Sequence, residues 1–377
     1  MLLEELETPA LLLDAPKMDA NIDRMRERMR TFGVALRPHV KTSKCVEVAR
    51  RQFDGVPGPV TVSTLKEADY FLDHGFSDIL YAVGITPNKL AHVADLRRRG
   101  AQLRTIVDSV EMAREVAACA QRHGVAIPAL IEIDCDGHRS GVQPDTPDLI
   151  DIGRALNAGG VGLAGVMTHA GSSYHCVSVD AIRALAEQER ALAVHAAARL
   201  RAAGLPCPTV SVGSTPTATY VANLDGVTEV RAGVYVFFDL VMAGIGVCQV
   251  DDIALSVLAT VIGHQRERGW LITDAGWMAM SRDRGTSKQA VDHGYGLVCD
   301  EAGAPIDGVI MCDANQEHGI VSHRSGDPSR TPMLPVGTRL RILPNHACAT
   351  GAQHDRYHVV RGRVPLVEAV WPRFSGW

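Results

Sequence analysis

The chain has no CxxC pair, no apolar run long enough to cross a bilayer and no excess of positive charge. Each absence removes a class of protein. With 38 Lys and Arg against 43 Asp and Glu, the formal net charge of -5 gives nucleic acid no electrostatic reason to bind. A membrane span needs about 20 predominantly apolar residues, so no membrane partner is expected either. Cysteines lie scattered at positions 45, 119, 135, 176, 207, 248, 299, 312 and 348. An odd, dispersed set reads as reduced thiols, hence as a cytoplasmic protein. The opening Met1-Leu2-Leu3-Glu4-Glu5-Leu6 lacks the basic region and apolar core of a signal peptide. What is present is a chain of 377 residues, 46% hydrophobic and 21% charged, enough for more than one core.

The apolar residues fall into two kinds of pattern. Ala10–Asp14 reads as a short strand, and Met18, Ile22, Met25, Met29 and Phe32 recur at the spacing of one helix face. Strand-like runs then follow at Val34–Val40, Val60–Thr64, Ile79–Val83, Leu103–Val107, Ala129–Ile133, Leu163–Thr168, Thr209–Val212 and Val227–Arg231. Helical patterns separate them, most clearly at Leu65–His74, Glu111–His123 and Ala181–Ala203. Alternation of this kind predicts right-handed crossovers, a parallel sheet and, with eight units, a (β/α)8 TIM barrel over residues 10–245. A doubly wound open sheet is the competing arrangement. Beyond residue 245 the helical periodicity stops. Ile253–Ile262, Trp270–Thr273, Leu340–Leu343 and Val359–Val360 predict a second, mainly β domain over residues 246–377, with residues 1–9 added to it.

Functional residues of such a barrel gather where strands end. Lys41 follows the first strand in Arg37-Pro38-His39-Val40-Lys41-Thr42-Ser43-Lys44. Partial burial and cations at Arg37 and Lys44 would favour its neutral amine, the form that condenses with an aldehyde. Arg139 lies after the fifth strand, His169 ends the sixth, Gly213-Ser214-Thr215 follows the seventh and Arg231-Ala232-Gly233 ends the eighth. The glycine turn offers backbone N–H groups and two hydroxyls for a phosphate. A lysine for an aldehyde and a turn for a phosphate suggest pyridoxal 5'-phosphate. In the second domain, His346 and Cys348 are two residues apart and would point the same way in an extended segment, able to share a divalent metal. Imidazole with thiolate favours zinc, ahead of manganese, cobalt or magnesium.

As a set, Arg37-Pro38-His39-x-Lys41, Arg139-x-Gly141, Thr168-His169, Gly213–Thr217 and His346-x-Cys348 resemble the fold-type III pyridoxal-phosphate enzymes. Within them the likeness is to the metal-dependent D-serine dehydratase and D-threonine aldolase family, from about Thr8 to about Gln353. Alanine racemase is similar more distantly. The resemblance implies Lys41 as the Schiff-base lysine and Gly213, Ser214, Thr215 and Gly233 as the phosphate cradle. It implies Arg139, His169, Arg231 and Tyr235 around the cofactor, and His346 and Cys348 on the metal. It also implies a homodimer whose active sites lie at the subunit interface.

In that family the second metal position tends to be Asp in aldolases and Cys in dehydratases, so Cys348 implies a lyase that removes water, then ammonia. The runs Glu229–Tyr235, Asp274–Asp283 and Asn315–Gly319 resemble the branch acting on D-threo-3-hydroxyaspartate, giving oxaloacetate and ammonia. D-Serine, giving pyruvate, is the next substrate. Arg282 and Arg284 could hold a second carboxylate, with His318 nearby, unless both arginines are tied up in ion pairs with Asp283 or Asp292. An aldolase splitting Cα–Cβ to glycine and an aldehyde uses the same parts. A cofactor carrier without turnover and a metal-dependent hydrolase are the readings from other classes.

Overall fold

The computed structural model describes residues 1–377. Ala35–Pro38, Val60–Val62, Asp78–Gly84, Gln102–Val107, Ala129–Ile133, Leu163–Thr168, Thr209–Val212 and Glu229–Ala232 form one parallel sheet of eight strands. The eighth strand pairs with the first, Leu36 opposite Val230. The first meets the second through a bridge between His39 and Thr61, where Val40 N–H donates to Thr61 O at 2.9 Å. The sheet is thus a nearly closed (β/α)8 barrel.

Four of its helices begin where a side chain satisfies an exposed N–H group of the first turn. Thr64, Ser109, Ser178 and Ser214 each accept from the backbone N–H three residues on. Leu80, Ile106, Leu130 and Met167, one from each of four successive strands, pack as an apolar cluster against Ala82 and Ala164.

Backbone contacts group Arg24–Lys41 and Val48–Gly233 into the barrel unit, and Met1–Asp23, Thr42–Glu47 and Val234–Ser375 into a second unit. The division therefore falls at Gly233, earlier than the expected residue 245, and Ala10–Asp14 lies outside the barrel. That strand is wholly buried, antiparallel to Leu255–Gln265 on one side and parallel to Arg356–Val360 on the other. An interior strand must have both edges paired, and only the β unit offers two partners.

Within that unit Leu255–Gln265 bends at a bulge between Val261 and Gly263. Its first half pairs with Ala10–Asp14 and its second with Trp270–Thr273. The bend closes six strands into a ring, which runs on through Gly319–His323, Pro305–Ala314, Gly296–Asp300 and Arg339–Pro344.

The barrel holds a cluster of buried charge that is paired internally. Arg37 is buried, donating from Nε to Glu229 at 2.8 Å and from Nη1 to Asp78 at 3.0 Å. Arg104 reaches the same Asp78 at 2.6 Å, and Ser211 donates to Glu229 at 2.7 Å. Arg37 therefore does not act as a cation beside Lys41, contrary to expectation, because its charge is spent on two carboxylates. Burial pushes Glu229 and Asp78 up, but the guanidinium groups hold both below their ordinary values of 4.5 and 3.8.

Groups depressed in the folded state contribute stability that is present above their ordinary pKa and lost as pH falls through the depressed value. Arg37→Met should therefore lower unfolding stability at neutral pH by about 3–5 kcal/mol. It should also flatten the loss of stability on acidification, measured by urea titration at a series of pH values. An unchanged acid slope would mean that these carboxylates do not depend on Arg37.

Candidate active site

Lys41 lies two residues beyond His39, whose bridge closes the barrel, and its side chain is exposed. Partial burial, one expected cause of a neutral amine there, is not found. Lys44 is likewise engaged elsewhere, in a left-handed turn (φ 44°) with its ammonium 5.3 Å from the Phe374 ring centre.

The groups that do crowd the barrel end are His39, His169, Arg139 and Arg231. Nδ1 of His39 is buried without a partner. Burial, then Lys41, Arg231, His169 and Arg139, hold this ring far below the ordinary histidine pKa. His169 donates from Nδ1 to Gly213 O at 3.0 Å. Burial and the charges of Arg139, Lys41 and Arg231 lower it to about 3, outweighing that bond. Both imidazoles are thus neutral at pH 7 and stand among three cations. Arg231 is buried and bonded to Ser211 and to Thr168 O, whereas Arg139 is half exposed, 3.6 Å from Glu132.

The turn after the seventh strand is built by a conformation that only glycine adopts easily. Gly213 has φ 124°, and a Cβ there would stand 2.3 Å from Arg231 O. Its N–H is not available to a ligand, since it donates to Glu189 at 3.0 Å. Ser214 N–H donates to Thr217 Oγ1 at 3.0 Å, and Ser214 Oγ contacts Ser173 Oγ at 2.9 Å. Thr215 Oγ1, by contrast, is buried with no partner. An exposed amine, two guanidinium groups and one orphaned hydroxyl suit a phosphorylated aldehyde better than a neutral ligand. Gly233 follows the eighth strand, and Tyr235 is fully buried in the turn Val234–Val236 of the β unit.

The segment holding His346 and Cys348 is not extended. His346 stands at the N-terminal boundary of the short helix Ala347–Gly351, and Cys348 lies in its first turn. The two still meet, because the thiol lies within hydrogen-bonding reach of the imidazole. His346 Nδ1 is 2.7 Å from Asp283 Oδ2, a carboxylate–histidine pair that orients the ring as in many metal sites. Burial opposes its protonation, but Asp283, Cys348 and Asp239 together raise His346 to about 11. Cys348 Sγ lies 3.3 Å from the hydroxyl of Thr42, the residue peptide-bonded to Lys41.

No group of three or more His, Cys, Asp or Glu converges to hold a metal, so His346 and Cys348 could supply two ligands at most. Buried Asp239 accepts from Ala347 N–H at 3.0 Å, and Asn345 donates to Asp283 O and Gly294 O. Neither anchor was visible in the sequence: Asp239 lies more than a hundred residues from the segment it caps.

Of the candidate substrate residues, Arg284 donates to Asp292 at 2.9 Å and stacks 5.0 Å over Tyr295, so its charge is occupied. Arg282 makes no ion pair and stacks 4.9 Å over Trp277. Trp277 and Met278 N–H groups donate to Asn315 O and Gln316 O, which sets the Asp274–Asp283 run against the turn carrying exposed His318.

Comparison with known proteins gives the same frame. The family model of the alanine racemase N-terminal domain matches residues 13–241, and that of a putative serine dehydratase domain matches residues 254–360. The chain is 57% identical to a D-threo-3-hydroxyaspartate dehydratase of Delftia sp. (strain HT23), over 99% of this chain and 98% of that one. It is 30% identical to a 3-hydroxy-D-aspartate aldolase of Paracoccus denitrificans (strain Pd 1222), over 98% and 92%. A cysteine-to-alanine mutant of a D-threo-3-hydroxyaspartate dehydratase, solved in a metal-free form, superposes with a TM-score of 0.96 at 56% identity, over all of both chains.

The His346 segment is anchored by Asp239, Asn345 and Asp283, so no metal is needed to hold it. Chelation should leave the melting temperature by calorimetry unchanged. Asp283→Asn should weaken divalent-cation affinity, read by equilibrium dialysis, by about 10- to 100-fold. Cooperative unfolding on chelation would instead make the metal a structural staple.

Proposed function

Since this chain belongs to the alanine-racemase-like family that includes D-serine dehydratases and D-threonine aldolases, we propose that it is a pyridoxal-phosphate- and metal-dependent lyase acting on a D-3-hydroxy amino acid. The preferred substrate is D-threo-3-hydroxyaspartate. Loss of water from Cα–Cβ gives an enamine, whose hydrolysis yields oxaloacetate and ammonia. D-Serine would give pyruvate by the same route. Pyridoxal phosphate, when bound, supplies the electron sink for charge at Cα, and a divalent cation supplies the Lewis acid for the leaving hydroxide.

The observation that carries this reading is the chain path at Lys41. The lysine available for an aldehyde is joined directly to Thr42, whose hydroxyl meets the Cys348 thiol. Lys41 would act as the base at Cα. Arg231, fixed by Ser211 and Thr168, would keep a permanent cation near the cofactor's ring nitrogen, and Arg139 would serve its phenolic oxygen. His169 would stand beside the cofactor as a neutral ring, and Tyr235 would shape its surroundings.

His346 and Cys348 would hold zinc, the metal that imidazole and thiolate suit best. Nine cysteines that form no disulfide agree with a reducing, cytoplasmic setting, and the family resemblance supports a homodimer. No helix is long and apolar enough to cross a membrane. The aldolase reading is less favoured, since Cys348 stands at the dehydratase-type position and the aldolase relative shares 30% identity against 57%.

Three measurements test the reading. Borohydride reduction followed by peptide mapping should place the pyridoxyl group on Lys41, and a label on Lys44 would refute it. Incubation with D-threo-3-hydroxyaspartate should yield oxaloacetate and ammonia; glycine and glyoxylate would mark an aldolase. Arg282, the guanidinium without a carboxylate partner, should serve the substrate's second carboxylate with His318 nearby, while Arg284 stays with Asp292. A charge-assisted hydrogen bond contributes about 1.5–3 kcal/mol. Arg282→Ala should therefore lower kcat/KM for D-threo-3-hydroxyaspartate roughly ten- to a hundredfold relative to D-serine. Equal losses on the two substrates would remove Arg282 from substrate choice.

A further inference from the structure

The helix Val179–Ala202 buries Ile182, Ala186, Glu189, Ala193, Ala196, Ala197 and Leu200. Apart from the adjacent Ala196 and Ala197, these positions recur every three or four residues, so they form a single face. One of them is a carboxylate. An apolar side chain would fill Glu189's place without a desolvation penalty, and burial does raise this carboxyl above its ordinary pKa.

Glu189 Oε1 accepts Ala170 N–H at 2.9 Å and Gly213 N–H at 3.0 Å. The carboxylate also takes a hydrogen bond from the Thr217 side chain. Ala170 follows the sixth barrel strand, and Gly213 follows the seventh. His169, next to Ala170, donates back to Gly213 O at 3.0 Å. Two loops at the same end of the barrel are thereby braced twice. The brace sets Gly213 and Thr217, the two sides of the turn in which Thr215 Oγ1 is left buried and unpartnered.

We propose that Glu189 is a positioning residue for the cofactor's phosphate: it holds the Gly213–Thr217 turn so that the Thr215 hydroxyl is kept ready for that group. The inference rests on the proposed function and on this turn as the phosphate cradle, which the family resemblance implies. Glu189 would not touch the cofactor. Its effect would be specific to the phosphate, because it sets the turn and leaves the cations around Lys41 and Arg139 in place.

The test compares pyridoxal phosphate with pyridoxal, which has the same aldehyde and ring but no phosphate. Apoprotein is titrated with each and binding is read from absorbance, with no turnover required. Wild-type protein should prefer pyridoxal phosphate. Glu189→Gln keeps the side-chain volume but replaces one acceptor oxygen with an NH2 group. It should lose about tenfold or more in affinity for pyridoxal phosphate and little for pyridoxal. Thr217→Val, which removes only the hydroxyl between Glu189 and Ser214, should shift the ratio in the same direction and serves if the first variant does not fold. Equal losses for both ligands, or a wild-type ratio in both variants, would overturn the role. A wild-type protein with no preference would overturn the phosphate-cradle assignment itself.

Discussion

Every charge sunk into the barrel has to be paired or hydrogen-bonded inside the barrel, and the arrangement of the strand ends follows from that constraint. Arg37, Glu229, Asp78 and Arg104 neutralise one another across the first, third, fourth and eighth strands. Through Ser211 the set reaches Arg231, which in turn holds the carbonyl of Thr168. An unpaired guanidinium in such surroundings would be expensive, whereas a bonded one is rigid. Rigidity matters here because Arg231 O is also the atom against which Gly213 packs without a Cβ.

The same economy of charge separates positions that keep their cations for a ligand from those that do not. Arg37 and Arg284 are consumed by carboxylates, whereas Lys41, Arg139 and Arg282 stay exposed, Arg139 with Glu132 3.6 Å away. His39 and His169 add no positive charge, since burial keeps both neutral. A barrel end of this kind attracts a phosphorylated, anionic aldehyde while leaving uncharged nitrogens beside it. In the β unit the balance is reversed: Asp283 and Asp239 place negative charge around His346.

Barrel architecture was readable from the chain alone because its signal is local. Eight apolar runs separated by amphipathic helices admit few arrangements, and several helix starts carry their own cap, such as Thr64 or Ser109. Lys41, His169 and the Gly213 turn were legible for the same reason, as residues at strand ends. The meeting of His346 and Cys348 was expected through a false premise. The segment is a helix start rather than a strand, yet a helix boundary and its first turn also bring residues two apart into reach.

What tertiary structure alone decided concerns long-range pairing, which leaves no local trace. Nothing in Ala10–Asp14 states that its partners are residues 255–258 and 358–360, so its place in the β unit followed only from the sheet. Whether Arg282 or Arg284 keeps its charge depended on where Asp292 folds. Asp239 and Glu189 read as ordinary acidic residues in a linear chain, and become anchors only once the backbone N–H groups of distant loops are brought to them. The sequence by itself determined the elements, the barrel and the residue types at its rim. The identity of each residue's partner depended on the closed fold, because hydrogen bonds and ion pairs are fixed by distance in space and not by separation along the chain.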